Sequence, residues 1–356
     1  MICRFPLDRN ESKSMLYSEQ IMKEQNAMVI EEHRGSYRVF SEGKIYSAEV
    51  SGKYLYESEN REDFPAVGDS VKIEPHSENE CIIHEINPRR NVLKRKAPGR
   101  ETEMQIIAAN LDLIFIVQGM DENYNLKRLE RTLVLCRTVN AQTVILFNKK
   151  DLIHDDIMME RIRQAERIAP DSRIIPCSAS SEEGLDQILQ MLGEKNLCCL
   201  IGSSGAGKTS WINILTRGNA PVQETSFYSK GKHTTTSRQT YFLENGSMLI
   251  DTPGMREFGL YESSEGFSET FADITELESK CRFKNCTHEN EPGCAVQEAL
   301  SEGELDEERY AHYLKLLREE KYMESKISEK NALVKKNNDK KLAKMIRERL
   351  KDKGRK

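Results

Sequence analysis

The order of two short motifs constrains this chain of 356 residues more than any other feature of its sequence. A polar motif, N-K-K-D, occupies residues 148–151 directly after the apolar run 143–147, and a glycine-rich motif of the form G-x-x-x-x-G-K-T occupies residues 202–209. In open α/β sheets, ligands bind at the carboxyl ends of the strands, where motifs of these two kinds meet. Because the polar motif ordinarily follows the glycine-rich one, the reversed order predicts an α/β domain with circularly permuted strands.

The glycine-rich motif lies between an apolar run at 197–201 and a predicted helix at 210–215, which is the setting of a phosphate-binding loop. Glycines permit the tight turn, and backbone N–H groups at the helix start attract anions. We expect Lys208 to reach the outer phosphates and the Thr209 hydroxyl to bind Mg²⁺. The alternative is a glycine-rich turn without a ligand, but every motif position is filled. The predicted phosphate-binding residues are Gly202, Ser203, Ser204, Gly205, Ala206, Gly207, Lys208, Thr209 and Ser210.

The polar motif predicts a guanine-binding site. The Asp151 carboxylate can accept hydrogen bonds from two neighbouring donors of guanine, a pair that adenine lacks. A buried carboxylate without partners is costly, so such a site would discriminate against ATP. We expect Asn148 at the other edge of the base and the stem of Lys149 along its face. A four-residue polar motif after a strand is weak evidence by itself.

A second segment supports the base site. The apolar run 173–177 predicts a strand that ends in a Ser-Ala pair, and this pair resembles the backbone segment that helps to hold guanine in GTPases. Taken alone, the pair would be assigned to an ordinary loop. After the Asp151 motif, it completes a predicted base site. The predicted base-binding residues are Asn148, Lys149, Lys150, Asp151, Ser178 and Ala179.

Two segments after the phosphate loop resemble the switch segments of GTPases. Residues 234–236 are three threonines, of which Thr235 is the favoured Mg²⁺ ligand. The apolar run 247–250 predicts a strand that ends in Asp251, which can hold the metal ion through water, and the N–H of Gly254 can meet the γ-phosphate. These segments complete a predicted site for GTP with Mg²⁺.

One catalytic group is missing from the pattern. Met255 stands where Ras-like enzymes carry the glutamine that orients the attacking water, and a thioether cannot do so. His233, in the threonine-rich switch, can hydrogen-bond a water and is the predicted catalytic residue. The alternative is a loop histidine that contacts solvent or RNA. We therefore expect slow intrinsic hydrolysis that a partner accelerates by ordering the switch.

A cysteine cluster follows the nucleotide motifs. The spacing C-x4-C-x-H-x5-C suits a closed, structural Zn²⁺ site, although unrelated thiols and a surface histidine are the alternative. The predicted zinc ligands are Cys281, Cys286, His288 and Cys294. The other cysteines lie mostly in apolar runs and are expected to be reduced core residues; they are Cys3, Cys81, Cys136, Cys177, Cys198 and Cys199.

Length and composition bound the class of protein. A chain of 356 residues exceeds one ordinary core and predicts two or three domains. With 38% hydrophobic and 31% charged residues, no apolar run of membrane-spanning length and no N-terminal signal pattern, the chain is expected to be soluble and cytoplasmic. No heptad pattern is long enough to suggest a dimer, so a monomer is expected.

Charge is unevenly distributed. The net charge is −5, yet residues 330–356 contain twelve Lys and Arg against three Asp and Glu. This basic tail predicts contact with a polyanion such as RNA, and the alternative is a solvated helix.

The segment 28–95 predicts an all-β region. Five short β-rich runs separated by turn residues suit a small Greek-key barrel of the OB type, and such barrels bind oligonucleotides with stacked aromatics. The candidate aromatics are Tyr37, Tyr46, Tyr54 and Tyr56, about half of which are expected to lie in the core. A basic stretch at 89–100 follows and is expected to contact phosphate.

These motifs together resemble the RsgA family, the circularly permuted GTPases of small ribosomal subunit biogenesis. The resemblance covers residues 28 to about 320 and includes H-R-G-S-Y-R-V at 33–39, D-F-P-A-V-G-D at 63–69, A-A-N-L-D at 108–112, G-K-H-T-T-T at 231–236, D-T-P-G at 251–254 and the cysteine cluster. It implies GTP hydrolysis stimulated by the small ribosomal subunit, a role in its late maturation, and ribosomal RNA contact through barrel and zinc domain. His233 matches the switch histidine of the family.

The resulting prediction is a multi-domain α/β protein with an N-terminal OB-like β-barrel, a central permuted P-loop GTPase domain and a C-terminal helical zinc-binding domain. The predicted boundaries are 1–27 for an extension, 28–98 for the barrel, 99–262 for the GTPase domain, 263–328 for the zinc domain and 329–356 for the tail. Its predicted function is hydrolysis of GTP to GDP and phosphate in small-subunit maturation. The alternative is a GTP-gated RNA-binding module in which hydrolysis is incidental.

Overall fold

The computed structural model describes residues 24–96, 104–217, 239–252 and 264–329, apart from residues 34, 59, 195, 290 and 327. These residues belong to two compact units. The first comprises the described parts of Met1–Arg95, Gln105–Thr132 and Val139–Glu257, and the second comprises those of Lys96–Met104, Leu133–Thr138 and Phe258–Lys356.

Five strands of the first unit close into a barrel. They are β1 (Gln25–Glu32), β2 (Tyr37–Ser41), β3 (Lys44–Val50), β4 (Ser70–Pro75) and β5 (Glu80–Ile86), in the order β1-β2-β3-β5-β4 with β1 pairing with β4. All pairs are antiparallel except β3 with β5. Alternate residues such as Val29, Val39 and Ile83 fill the interior, as the pleat of a strand requires. The predicted five-stranded barrel is confirmed.

The four barrel tyrosines differ in their surroundings. Tyr37 lies in the barrel core and Tyr46 packs against it. A short helix, α1 (Gly52–Glu57), carries the other two; the Tyr54 hydroxyl donates to the Asp63 carbonyl, whereas Tyr56 is 91% exposed. The expectation that about half of these rings are core residues is confirmed, and Tyr56 is the most exposed of the four.

The basic stretch after the barrel makes ion pairs within the protein. Arg89 donates from Nε and Nη2 to both oxygens of the fully buried Asp69 carboxylate at 2.8 Å, and it also donates to the carbonyls of Glu62 and Phe64. Lys94 pairs with Glu62 at 2.9 Å. The Arg89 guanidinium therefore stabilises the barrel, a role that the basic composition did not indicate.

The first unit also contains a six-stranded sheet. Its strands are β8 (Leu113–Gly119), β9 (Gln142–Asn148), β10 (Arg173–Pro176), β11 (Leu197–Ile201), β12 (Gln239–Phe242) and β13 (Met248–Asp251), in the order β10-β9-β8-β11-β13-β12. Only β12 runs antiparallel to its neighbour. A separate pair, β6 (Val92–Lys96) and β7 (Met104–Ala109), links barrel and sheet along the chain. The predicted permuted α/β sheet is confirmed.

Four helices belong to the same part of the chain, and residues of the last two pack in the core of the sheet. They are α2 (Leu126–Arg137), α3 (Asp155–Ile168), α4 (Leu185–Leu192) and α5 (Lys208–Leu215). Every residue of β8 is buried, as a central parallel strand covered on both faces requires. Phe115 and Trp211 lie in this core with Cys177 and Cys198. Cys81, Cys136 and Cys199 are buried as well, so the predicted core cysteines are confirmed, except Cys3, which lies outside the described residues.

Within the first unit, the barrel contacts β12. The Thr240 hydroxyl donates to the Ile30 carbonyl at 2.7 Å, and both groups are buried. The rings of Phe40 and Phe242 lie 4.7 Å apart. The buried hydrogen bond and the ring contact make β12 the strand through which the barrel contacts the edge of the sheet.

The second unit is helical. It contains α6 (Ser264–Thr270), α7 (Ala272–Lys280), α8 (Ala295–Glu302) and a further helix, α9, over residues 307–326. Phe271, Ile274, Val296, Tyr313 and Leu316 form its core. Among the described residues, no helix has the length and apolar character needed to cross a membrane.

The two neighbouring arginines 89 and 90 test the barrel ion pair. Arg89→Ala leaves the buried Asp69 carboxylate unpaired, so we expect the free energy of unfolding to fall by about 3–5 kcal/mol. Arg90→Ala removes a largely exposed pair with Asp112 and should cost less than about 1 kcal/mol. Denaturant unfolding, with hydrogen exchange of the β1 and β4 amides as a local probe, distinguishes the two. Equal losses in both variants would contradict this role for Arg89.

Candidate functional site

One edge of the six-stranded sheet collects the nucleotide motifs. Strands β9, β10, β11 and β13 are parallel, so their carboxyl ends lie at the same edge. Residues 148–151 begin at the last residue of β9, residues 178–179 and 202–209 follow β10 and β11, and Asp251 ends β13. The structure therefore brings together motifs that are widely separated along the chain. The other predicted site residues, His233, Thr235 and Gly254, lie outside the described residues, as does Met255.

Asn148 joins two of these loops. Its Nδ2 donates to the Ala206 carbonyl of the phosphate loop at 2.8 Å, and its Oδ1 accepts from the Ala179 N–H at 3.0 Å. The residue is 1% exposed. Both polar ends of the amide are thus satisfied by backbone groups, which fixes the distance between the base motif and the phosphate loop. This connecting role was not apparent from the sequence.

Asp151 is held ready to accept hydrogen bonds. Ser178 Oγ donates to Oδ1 at 2.5 Å, and Ser180 Oγ donates to Oδ2 at 3.1 Å. The hydrogen bond from Ser178, assisted by that from Ser180, lowers the pKa of Asp151, so the carboxylate is ionised at neutral pH. Ser180 was missed in the sequence because only the two residues before it match a known segment.

Each lysine of the polar motif has an acidic partner. Lys149 Nζ lies 2.7 Å from Asp121 Oδ2, and Lys150 pairs with Glu183. Neither acidic residue belongs to a recognisable motif, since Asp121 follows β8 and Glu183 precedes α4. No sequence signal could have found them, because each pair depends on how neighbouring strands end.

Two glycines of the phosphate loop have no room for a side chain. A Cβ at Gly202 would lie 2.1 Å from the Val117 carbonyl oxygen, and one at Gly207 would lie 2.0 Å from Asn148 Nδ2. Both have positive φ, 149° and 101°. The loop is thus pressed against β8 on one side and against Asn148 on the other.

Part of the loop faces outward. Helix α5 begins at Lys208, which directs its first N–H groups toward the loop. The members of the motif that lie exposed at this edge are Ser204, Gly205, Thr209 and Ser210. Ser203 Oγ is buried and has no hydrogen-bond partner among the described residues. Exposed N–H groups at a helix start beside an unpaired buried hydroxyl fit an anion-binding loop.

Burial acts in opposite directions on the two charged groups under the loop. It lowers the pKa of Lys208, against the opposing effect of Asp251, and it raises the pKa of Asp251, against that of Lys208. Lys208 Nζ donates to the carbonyls of Gly202 and Ser203 at 2.8 and 2.9 Å. Thr252 Oγ1 donates to the Leu200 carbonyl and ties the end of β13 to β11. Both charged groups are therefore desolvated, and each partly offsets the effect of burial on the pKa of the other.

The second unit holds a possible metal site. The ligand atoms of Cys281, Cys286, His288 and Cys294 all lie within 4.8 Å of one another. His288 Nδ1 is 3.5 Å from the sulfurs of both Cys281 and Cys294. Its other ring nitrogen lies 3.5 Å from Glu278 Oε1. The cluster could hold a metal ion, with a carboxylate orienting the imidazole as is usual for metal-bound histidines.

These features define the class of protein. A P-loop at one strand end, a base motif with Asp151 at another, and an asparagine joining them describe a GTP-binding domain of the GTPase type. The two motifs occur in the permuted order along the chain, because the base motif lies at the end of β9 and the P-loop follows β11.

Comparisons with known proteins agree. The family model of the RsgA GTPase matches residues 86–261. A protein of Oceanobacillus iheyensis named small ribosomal subunit biogenesis GTPase RsgA 1 is 40% identical over 312 residues, covering 86% of this chain and 88% of that protein. A protein of Opitutus terrae named small ribosomal subunit biogenesis GTPase RsgA is 38% identical, covering 83% of each.

Solved structures give the same result. YjeQ from Thermotoga maritima has a TM-score of 0.63 and 25% identity, covering 83% of this chain and 98% of that one. YloQ, described as a circularly permuted GTPase, has a TM-score of 0.59 and 25% identity, covering 86% and 96%. The chain belongs to the RsgA GTPase family.

Two glycines of the phosphate loop test the contact with Asn148. Both Gly205 and Gly207 have positive φ, but a Cβ at Gly205 meets nothing within 4 Å. We expect Gly207→Ala to lower the free energy of unfolding of the nucleotide-free protein by about 2–4 kcal/mol, from strain plus overlap. Gly205→Ala should lose only about 1 kcal/mol from strain. Fluorescence of Trp211, the single tryptophan, reports unfolding. Equal losses would show that Asn148 is free to move away.

Proposed function

We propose that the protein is a GTPase that acts in the assembly of the small ribosomal subunit, hydrolysing GTP to GDP and phosphate. GTP hydrolysis follows from membership of the RsgA GTPase family. The observation that carries the base and phosphate assignment is the Asn148 amide, which joins the phosphate loop to Ala179 beside the ionised Asp151. The ribosomal role is supported by the names of relatives that match over more than four-fifths of the chain.

In this proposal different loops bind the base and the phosphates of the nucleotide. Asp151 accepts from guanine, with the loop of Ser178 and Ala179 closing around the base. Residues 202–210 receive the phosphates, and Lys208 leaves its own loop carbonyls for the outer phosphates. A charged phosphate oxygen is a stronger acceptor than a carbonyl, so the exchange favours the bound state.

Mg²⁺ would be held by Thr209 and Thr235, with Asp251 acting through water and Gly254 N–H meeting the γ-phosphate. When bound, this ion neutralises charge on the β- and γ-phosphates. His233 would orient the attacking water, because it is the histidine of the threonine-rich switch. We assign this role from the motif and from the resemblance to the family.

The metal of the second unit is proposed to be one structural Zn²⁺ held by Cys281, Cys286, His288 and Cys294. Tetrahedral Zn²⁺ with these ligand types would give S–S separations of about 3.8 Å and S–N separations of about 3.5 Å. The Cys281–Cys294 separation is 3.9 Å and the two S–N separations are 3.5 Å, which supports the assignment. Four protein ligands leave no open position for catalysis.

The remaining proposals concern the binding partners, the oligomeric state and the cellular location of the protein. We propose that the barrel, the zinc-binding segment and the basic tail contact ribosomal RNA, and that the protein is a cytoplasmic monomer. Exposed Tyr56 on the barrel supports RNA stacking. The functional segments are proposed to be 1–27, 28–98, 99–262, 263–328 and 329–356.

Hydrolysis rates with purified ribosomal subunits test the function. We expect the small subunit to raise the GTP turnover of the full chain at least about tenfold, because ordering a switch completes a catalytic site. The large subunit should have no effect, and Lys208→Ala should abolish turnover. His233→Ala should retain GDP binding and lose the stimulated rate. A chain that binds GTP but is not stimulated by the small subunit would refute the proposed role and favour the GTP-gated module.

Two glutamates on α7 test the metal site. Glu278→Ala removes the carboxylate that faces His288, and we expect zinc affinity to fall about tenfold or more. Glu276→Ala, on an exposed residue of the same helix, should leave zinc affinity unchanged. Competition with a chromophoric chelator measures both, after metal analysis has shown one Zn²⁺ per chain. Purified protein without bound zinc would contradict the assignment.

A further inference from the structure

The loop after β8 lies between the two halves of the nucleotide site. In the sheet, β8 separates β9, which carries the base motif, from β11, which carries the phosphate loop. Gly119, the last residue of β8, is in register with Asn148, and the Met120 N–H donates to the Asn148 carbonyl at 2.8 Å. The next residue, Asp121, is thus placed beside the base motif by the strand order itself.

Asp121 fixes the side chain of Lys149. Lys149 Nζ donates to Asp121 Oδ2 at 2.7 Å. Asn123 in turn orients the carboxylate, donating from its backbone N–H to Oδ1 at 3.2 Å and from Nδ2 to Oδ2 at 3.3 Å. The two paired side chains are 26% and 18% exposed, so solvent screens this pair less than a pair on the open surface.

There is no spare room around this pair. A Cβ at Gly119 would lie 2.7 Å from Asp121 Oδ1 and 3.8 Å from Lys149 Cδ. Lys149 itself has φ of 65°, a left-handed conformation that is unfavourable for a lysine. The backbone turn and the ion pair together give the Lys149 stem one direction, along the end of β8.

A fixed stem reduces the cost of binding a base. A free lysine side chain loses about 2 kcal/mol of rotamer entropy when it is immobilised. If Asp121 already holds Lys149, the nucleotide does not have to order it. The apolar stem can then contact a flat base and bury apolar surface without first being ordered.

We propose that Asp121 is a positioning residue of the guanine site, which holds the stem of Lys149 as one wall of the base pocket. This inference rests on the proposed binding of guanine nucleotide at the 148–151 motif. Asp121 acts through Lys149 and does not contact the nucleotide. It completes a chain of contacts from Asn123 through Asp121 to Lys149.

Electrostatics and positioning predict opposite effects of neutralising Asp121. Removing a negative charge near a site for a polyphosphate favours the anionic ligand through long-range attraction. Removing the anchor of Lys149 disfavours it. A weaker affinity after Asp121→Asn would therefore have to come from the lost anchor.

The affinity of the full-length chain for fluorescently labelled GDP tests the proposal. We expect Asp121→Asn to weaken GDP binding about tenfold, as for residues coupled by direct contact. Glu183→Gln, which breaks the neighbouring pair of Lys150 with a glutamate that is 57% exposed, should change it less than about twofold. Unchanged or tighter binding by Asp121→Asn would overturn the proposal.

A double-mutant cycle separates positioning from general damage. Lys149→Met keeps an apolar stem and removes the ammonium, so Asp121→Asn should have less than about a twofold further effect on GDP affinity in that background. Asp121→Glu should restore part of the affinity. At saturating GTP, kcat with the small subunit should be unchanged while KM rises. Full additivity of the two substitutions, or loss of kcat with unchanged KM, would count against the role.

Failure of the inference and failure of the proposed function are distinguishable. If the wild-type chain does not bind GDP, or binds ADP equally well, the guanine site itself is wrong. If wild-type binding is specific for GDP and the Asp121 variants match it, only the positioning role is excluded.

Discussion

A single buried amide sets the geometry on which the proposed nucleotide site depends. Asn148 is satisfied at one end by the phosphate loop and at the other by the Ala179 N–H, and it has no access to water that could replace either partner. Losing one contact would leave a buried polar group unpaired, which is costly. The relative position of base loop and phosphate loop is thus fixed before any nucleotide arrives. Chain order is irrelevant to this contact, because parallel strands present their ends at one edge whichever strand comes first.

The permuted chain order instead determines which segments adjoin β12 and β13. Strand β12 directly follows the segment with the predicted threonine switch, and β13 ends at Asp251, where the predicted Asp-x-x-Gly switch begins. These two strands pair with each other, and β12 contacts the barrel through Thr240–Ile30 and through Phe40–Phe242. The barrel therefore packs against β12, which follows one predicted switch. Strand β12 in turn pairs with β13, which leads into the other predicted switch. Packed contacts of this kind are one physical route by which two sites are coupled.

Sequence reasoning predicted the architecture well and the supporting contacts poorly. The barrel, the permuted sheet and the cysteine cluster were predictable because each has a local signal: alternation, a motif after an apolar run, or ligand spacing. Asp121, Ser180 and Glu183 were not, because each meets its partner only after strands from distant parts of the chain lie side by side. Arg89 was assigned to phosphate contact from its charge, and the structure pairs it with Asp69. Charge composition does not distinguish a solvated cation from one paired at a buried carboxylate.

The three lysines of the two motifs differ in the groups to which they donate hydrogen bonds. Lys149 and Lys150 are paired with Asp121 and Glu183, so their charges are already balanced within the protein. Lys208 instead donates to neutral carbonyls of its own loop, and burial lowers its pKa while it raises that of Asp251. A buried cation that donates its hydrogen bonds to neutral carbonyls gains more from an anionic acceptor than one that already donates to a carboxylate. In the proposed function, Lys208 is therefore the lysine that gains most from phosphate binding, whereas the base-motif lysines would contribute by being held in place.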